Sequence, residues 1–342
     1  MYDQNIKKRK AEHLDIFRDK NVSFSKTSGF ENFSLLHSSL PEQNIDNIDI
    51  TENFLGYKLD FPFMINAITG GEKKGKLLNK ELASIAGKYK IAFALGSLRA
   101  CFEDKEAIAS FAIAKKVSPN IPVLANLGGQ QLLEYNIREI EDILAQIQAD
   151  ALTIHLNPIQ EALQPEGDKN FIGISAKIKE IAKVLSKPII VKEVGFGLPL
   201  KNIRELADNG IKWFDISGAG GTSWAKIEQN RNTMDVNIAL AEEFAEFGIP
   251  TAELLAKAVK VKNVNIIASG GLNRGLDFAK AIAMGAKLGG SAGEILKKWN
   301  GNGKKSVENL IELYKKTLKI AVFITGNKNL IEYRNNHNIE RC

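Results

Sequence analysis

An α/β fold, and within it a single (β/α)8 TIM barrel with additions at both ends, is predicted by three features of the 342-residue sequence. Short β-rich apolar runs alternate with helical stretches, as a parallel sheet of βα units requires. Eight such runs occur, where an open doubly wound sheet, the structural alternative, has about five or six and needs a glycine-rich first turn. Nearly every run ends in polar or glycine residues, as the active face of a barrel does.

The runs are FPFMINAIT (61–69), IAFALGS (91–97), IPVLANLG (121–128), ALTIHLN (151–157), PIIVKEV (188–194), WFDISG (213–218), NIIASGG (265–271) and the weaker KLGGSAG (287–293). The first four begin about 30 residues apart, the length of a strand plus a helix. Between them, segments such as NIREIEDILAQIQ and AKIKEIAKVL place apolar residues at helical spacing and read as amphipathic helices. A barrel needs about 250 residues, which leaves roughly 90 for additions. The expected organisation is a 1–60 N-terminal extension contributing to a substrate site, a 61–293 barrel, and a 294–342 flank of closing helices.

Composition narrows the function. Hydrophobic residues make up 44% and charged residues 25%, which excludes a disordered or collagen-like chain. The formal charge of +6 is a mild excess rather than a nucleic-acid signature, and its densest cluster is Lys7, Lys8, Arg9 and Lys10. Two cysteines, Cys101 and Cys342, give no disulfide framework and no zinc spacing, so a reducing cytoplasmic location is expected. No run approaches 18 apolar residues, so no membrane association is expected either.

The polar strand ends carry the chemistry. Gly270-Gly271 after strand 7 and Ala292-Gly293 after strand 8 fit the phosphate site barrels build there. In HLNPIQE, His155 and Asn157 point the same way, Gln160 and Glu161 follow where the chain leaves the barrel, and Glu161 is the natural Mg²⁺ ligand. Lys192 sits late in an otherwise apolar strand, where its ammonium must face the mouth or find a partner. The SGAGGTSWAKIEQNR segment offers a permissive glycine loop, the Thr222 hydroxyl, the Trp224 ring and the Glu228 carboxylate. Arg9, Lys10 and His13, at i, i+1 and i+4, form a candidate diphosphate clamp.

Taken together, RKAEH (9–13), LLHSSLPE (35–42), the IDITENFLGYKLDFPFMINAITGG stretch, GSLR (96–99), ANLG (125–128), HLNPIQE (155–161), VKEVGFG (191–197) and SGAGGTSWAKIE (217–228) resemble the type 2, FMN-dependent isopentenyl-diphosphate delta-isomerases over nearly the whole chain. The resemblance implies that Ala67, Ile68, Thr69, Ser97, Asn126, Lys192, Ser217 and Thr222 contact FMN, with Gly270, Gly271, Ala292 and Gly293 at its phosphate. It implies substrate binding by Arg9, Lys10, Ser97, Arg99, His155 and Gln160, and Mg²⁺ binding by Glu161; His13 from the basic cluster and Asn157 beside His155 join the candidate substrate residues. Gln160, Glu161, Glu228 and Trp224 are then the candidate catalytic residues. The activity implied is a redox-neutral interconversion of isopentenyl and dimethylallyl diphosphates at reduced FMN, with NADPH as reductant, in a homo-oligomer of four or eight subunits. An FMN-dependent 2-hydroxy-acid oxidase or dehydrogenase is the competing enzyme. It needs a base histidine late in the barrel, and none occurs between His155 and His337. A noncatalytic flavin- or RNA-binding protein is the remaining alternative.

Overall fold

The computed structural model describes residues 4–68, 73–336 and 338–342, without the side chains of 4–11, 73 and 74. Eight parallel strands close into a barrel: β1 (Phe63–Ile65), β2 (Ala92–Ser97), β3 (Val123–Gly128), β4 (Ala151–His155), β5 (Ile189–Lys192), β6 (Trp213–Asp215), β7 (Asn265–Ser269) and β8 (Leu288–Ser291). Each lies inside one of the eight apolar runs, and β8 closes the ring by pairing Gly289 with Phe63, Gly290 with Met64 and Ser291 with Ile65.

Alternation along the strands divides the core in two. Met64, Ala92, Ala94, Leu124, Ala151, Ile190, Ile267 and Leu288 fill the barrel interior. Their neighbours, among them Phe63, Ile65, Phe93, Ile154, Val191 and Phe214, face outward onto the ring of helices. Three of the interior residues are alanines, which suits a narrow lumen.

The lower end of the lumen is stoppered by a hairpin, Glu52–Phe54 and Tyr57–Leu59, turning through Leu55 (φ 50°) and Gly56 (φ 83°). Positive φ at both turn positions gives the twist that matches the flanking strands. Phe54 and Leu59 join the interior cluster, and the Phe54 ring meets Trp213 edge-on at 4.9 Å. Tyr57 Oη donates to Asp150 Oδ1 at 2.8 Å, while Lys115 Nζ donates to Asp150 Oδ2 at 2.7 Å. The lumen is therefore accessible only from the end where the strands finish.

The flanks depart from expectation in one respect. A kinked helix, Gly293–Ile324, and a short one, Leu330–Asn335, do follow the barrel, but the chain then forms a strand, Ile339–Arg341, antiparallel to Phe33–Leu35. Glu340 and Arg341 are exposed and Ile339 only half-buried, so this strand has too few buried positions for an apolar pattern to reveal it. At the other end of the chain a helix spans Gln4–Asp19, and the segment after it runs beside the loop that follows β6. Ser223 N–H donates to the Val22 carbonyl and Phe24 N–H to that of Gly221.

Glycines also shape β8 itself. Gly289 and Gly290 lie inside the strand, where a Cβ would come 2.4 Å from the Phe278 ring and 2.9 Å from the Asn66 side chain. At Gly270 (φ +94°) a Cβ would sit 1.9 Å from the Gly218 carbonyl oxygen, whereas at Gly56 (φ +83°) the space is open. Gly56→Ala is therefore expected to cost only the strain of its φ, about 1–3 kcal/mol. Gly270→Ala should lose clearly more, because a backbone clash adds to the same strain. Urea denaturation of the two variants checks the order.

Candidate active site

All eight strand ends converge on one cavity of about 490 Å³ at the open end of the barrel. Asn66, Ala67 and Ile68 follow β1, Ser97 ends β2, and Asn126 and His155 come from β3 and β4. Lys192 ends β5 and Ser217 follows β6, while Ser269, Gly270, Gly271, Gly290, Ser291, Ala292 and Gly293 line the side of β7 and β8. Arg99, Asn157, Gln160, Glu161, Thr222 and Trp224 complete the lining from the loops, and His13 reaches it from the N-terminal helix. Thr69 lies outside the described residues, as do the side chains of Arg9 and Lys10. Glu228 does not line the cavity.

A row of charge-bearing side chains crosses the mouth, since strand register places His155 beside Lys192 and Lys192 beside Asp215. Asp215 is 1% exposed. Its Oδ1 accepts from Ser269 Oγ at 2.5 Å and from Ser217 N–H at 3.3 Å, and its Oδ2 accepts from Asn66 Nδ2 at 3.1 Å. Burial pushes this carboxyl up, while the Lys192 ammonium and those donors pull it back. Burial pushes Lys192 down, opposed by Asp215 and then Glu193. Glu193 is held otherwise: its Oε2 accepts backbone N–H bonds from Val194, Gly195, Phe196 and Gly197 at 2.6 to 3.2 Å. That nest folds the GFG turn after β5 and leaves Asp215 as the acid beside Lys192 in the mouth.

His155 differs from the cationic substrate clamp that the sequence offers. Its Nδ1–H donates to Asn126 Oδ1 at 3.0 Å, which in the neutral ring leaves Nε2 as an acceptor. Burial, and then the Lys192 charge, push it down to about 3. It is therefore a neutral acceptor, and an anion bound beside it would favour its protonation.

The HLNPIQE motif forms a short helix, Pro158–Leu163, with proline in its first turn. Asn157 Nδ2 donates to Gln160 Oε1 at 3.2 Å and to Glu161 Oε1 at 2.8 Å, and Asp168 N–H donates to Glu161 Oε2 at 2.8 Å. Glu161 is thus fixed at the cavity edge. Among the described residues no group of three or more His, Cys, Asp or Glu could hold a metal ion. A lone carboxylate fits Mg²⁺ only where phosphate oxygens and water supply the remaining ligands, which is this ion's habit.

Glu228 is the clearest departure from a sequence-derived role. Its side chain is fully buried, with Oε1 against His13 Nε2 at 3.0 Å and Oε2 accepting from Arg231 Nη1 at 2.8 Å. Burial alone would raise this carboxyl, but His13 and Arg231 outweigh it and hold it below the usual carboxylate range. It orients His13, whose ring meets Trp224 edge-on at 5.2 Å, rather than facing the cavity.

The cavity suits a phosphorylated, polar cofactor. Asn66 Oδ1, Asn157 Oδ1 and Gln164 Nε2 are buried lining atoms without hydrogen-bond partners. The helix that starts at Gly293 opens here with no side chain capping it, beside the glycine backbone of 270 and 271. Ser217 is held at φ 40°, a conformation costly for a residue with a side chain and often found at functional sites. Asn66, Gln164 and Asp215 escape sequence reasoning. The only signals were an amide ending FPFMIN and an acid inside WFDISG, each equally at home in a turn. A second cavity, of about 780 Å³, lies outside the barrel against Ile174, Ile178, Phe196, Leu206 and Phe247, and gathers no comparable polar set.

Two measurements follow. Asp215→Ala removes the acceptor of three donors and the acid beside Lys192, and should destabilise the protein by about 3–5 kcal/mol in chemical denaturation. For His155, the folded value lies below the ordinary 6.5 of a free imidazole, so the unfolded chain binds the extra proton and stability falls as pH drops below 6.5. The loss from this group is roughly 1.4 kcal/mol per pH unit towards pH 4, and NMR titration of the ligand-free protein should show the ring still neutral at pH 5.

The comparisons agree with this geometry. A family model described as FMN-dependent dehydrogenase matches residues 162–340. An isopentenyl-diphosphate delta-isomerase of Rickettsia canadensis (strain McKiel) is 42% identical over 325 residues, 94% of each chain. One from Rickettsia africae (strain ESF-5) is 41% identical over 332 residues, 96% of each. Among solved structures, the recombinant flavin-binding domain of baker's yeast flavocytochrome b2 superposes with a TM-score of 0.67 at 15% identity, covering 99% of this chain and 92% of that one. A mutant flavocytochrome b2 with pyruvate bound gives 0.69 at 18%, covering 96% and 82%. At such identities these two speak for the fold alone. With isomerase relatives at this identity along almost its whole length, and a flavin-enzyme model over half of it, the chain belongs to the FMN-dependent, type 2 isopentenyl-diphosphate delta-isomerase family.

Proposed function

We propose that the protein interconverts isopentenyl diphosphate and dimethylallyl diphosphate at reduced FMN, with Mg²⁺ on the diphosphate. One observation carries the reading: a single cavity joins the strand-end residues suited to a flavin with Gln160, Glu161, Trp224 and His13 from the surrounding loops and N-terminal helix.

In this reading Ala67, Ile68, Ser97, Asn126, Lys192, Ser217 and Thr222 surround the isoalloxazine, with Thr69 joining them after β1. Gly270, Gly271, Ala292 and Gly293 present backbone N–H groups and a helix N-terminus to the FMN phosphate. Reduced FMN supplies, when bound, an electron-rich ring system whose N5 exchanges protons. Lys192 places positive charge beside it, the usual protein lever on flavin electronics. The reaction adds a proton at one end of an alkene and removes one two carbons away, with tertiary carbocation character between. Trp224 shields such a cation by its ring face and excludes water. Gln160 and Glu161, joined through Asn157, would orient or relay protons, and Glu161 would bind the metal. Arg9, Lys10, His13, Arg99 and His155 would hold the diphosphate, whose remote binding energy positions a featureless five-carbon tail.

The test is anaerobic reduction of the purified yellow protein with NADPH or dithionite, then incubation with isopentenyl diphosphate and Mg²⁺ in deuterated water. Dimethylallyl product carrying deuterium, with no net NADPH consumed per turnover, is the expected result. Stoichiometric NADPH oxidation would point to a dehydrogenase instead, and binding without turnover to a noncatalytic protein. Removing residues 1–13 should raise KM for the diphosphate at least tenfold while FMN stays bound, and unchanged affinity would exclude the proposed clamp.

Among the described residues no helix is long and apolar enough to cross a membrane. A cytoplasmic location, with Cys101 buried and Cys342 exposed and no disulfide between them, completes the reading. So does a tetramer or octamer: Ile172, Val236 and Phe247 leave half or more of their surface exposed, and light scattering reads the subunit number directly.

A further inference from the structure

Arg231, at the end of the helix Trp224–Arg231, reaches three carboxylates from three separate segments. Its Nε donates to Glu12 Oε2 on the N-terminal helix at 3.0 Å, its Nη1 to Glu228 Oε2 at 2.8 Å, and its Nη2 to Glu166 in the loop after Pro158–Leu163. Only a planar, forked guanidinium serves three acceptors in different directions, and the side chain is 12% exposed, so these bonds are largely shielded from water.

Two of the segments bear directly on the cavity. The residue after Glu12 is His13, which lines it and is itself held by Glu228. The 164–168 loop fixes Glu161: Asp168 N–H donates to Glu161 Oε2, and Gly167 packs so closely that a Cβ there would come 2.0 Å from the Glu161 carbonyl oxygen. A shift of Glu166 therefore moves the support of Glu161, and a shift of Glu12 moves His13.

We propose that Arg231 is a positioning residue that couples the seating of the N-terminal helix to the placement of Glu161, so that both sides of the substrate site are set together through one guanidinium. The kinetic consequences rest on the isomerase reading above. The mechanical coupling does not.

Hydrogen exchange on the full-length FMN-bound protein tests it, comparing wild type, Glu12→Gln, Glu166→Gln and Arg231→Met. Arg231→Met should speed exchange at least tenfold in both 12–19 and 164–168. Glu166 is 41% exposed, so its amide variant should fold normally. Among the described residues its side chain has no hydrogen bond to the helix, yet Glu166→Gln should speed exchange in 12–19 at least threefold through Arg231. Unchanged 12–19 exchange in Glu166→Gln overturns the coupling, even should Arg231→Met fail to fold. In turnover, Glu166→Gln and Arg231→Met should each raise KM for isopentenyl diphosphate and the Mg²⁺ concentration for half-maximal rate several-fold more than they lower kcat, a split that general loss of stability would not produce. A wild type that binds FMN but turns nothing over would sink the isomerase reading and leave the exchange result to decide the coupling.

Discussion

Closure of the strand ring is the constraint on which the site depends. A parallel barrel delivers every strand end to one face only if the last strand pairs with the first, and here that contact is made by Leu288-Gly289-Gly290-Ser291 against Phe63–Ile65. The two glycines are what allow it. Gly289 makes room outside for the Phe278 ring, and Gly290 makes room for the Asn66 side chain, which in turn donates to Asp215 on β6. A side chain at Gly290 would displace that amide. Closure of the barrel and the polar order of its mouth are thus one packing problem.

The mouth in turn manages buried charge. An ammonium and a carboxylate, Lys192 and Asp215, occupy adjacent register positions where neither would be tolerated alone. The carboxylate's oxygens are occupied by Ser269, Ser217 and Asn66, and the neighbouring acid, Glu193, spends one oxygen on four backbone N–H groups. Lys192 Nζ meanwhile donates to the Glu193 carbonyl at 2.6 Å. The positive charge is therefore held at one place on the cavity wall, with Asn66, Ser217 and Ser269 lining the same wall beside it.

This division explains what was legible in the sequence. Buried alternation marks seven strands clearly, because their outward and inward side chains are both apolar. β8 reads weakly because its contribution is the absence of side chains. Residues that touch the cavity, such as His155, Gln160 and Lys192, stand out as polar groups in apolar surroundings. Residues that support them do not: Asp215 and Asn66 resemble turn residues, Arg231 resembles one more surface cation, and each acquires meaning mainly from distant partners, as far as 149 positions away for Asp215 with Asn66 and 219 for Arg231 with Glu12. Glu228 shows the converse. Its spacing from Trp224 places it near the site, but the His13 and Arg231 that consume its oxygens come from the arm and the next helical turn, and no one-dimensional pattern reveals which way it faces.

The N-terminal helix is the piece of the site least bound by the barrel. It has no strand to pair with the ring, and among the described residues its attachments include the packing of Leu14 and Phe17 on the core, the backbone bonds of Val22 and Phe24 to the β6 loop, and the contacts of His13 and Glu12 with Glu228 and Arg231. Such an attachment is strong where Glu228 is fully buried and weaker where Glu12 keeps 37% of its side chain in solvent. Opening at the helix therefore costs less than opening the barrel, whose strands are joined all round by parallel ladders. The same guanidinium that meets the helix also meets the loop beside Glu161, so displacing one loosens what holds the other.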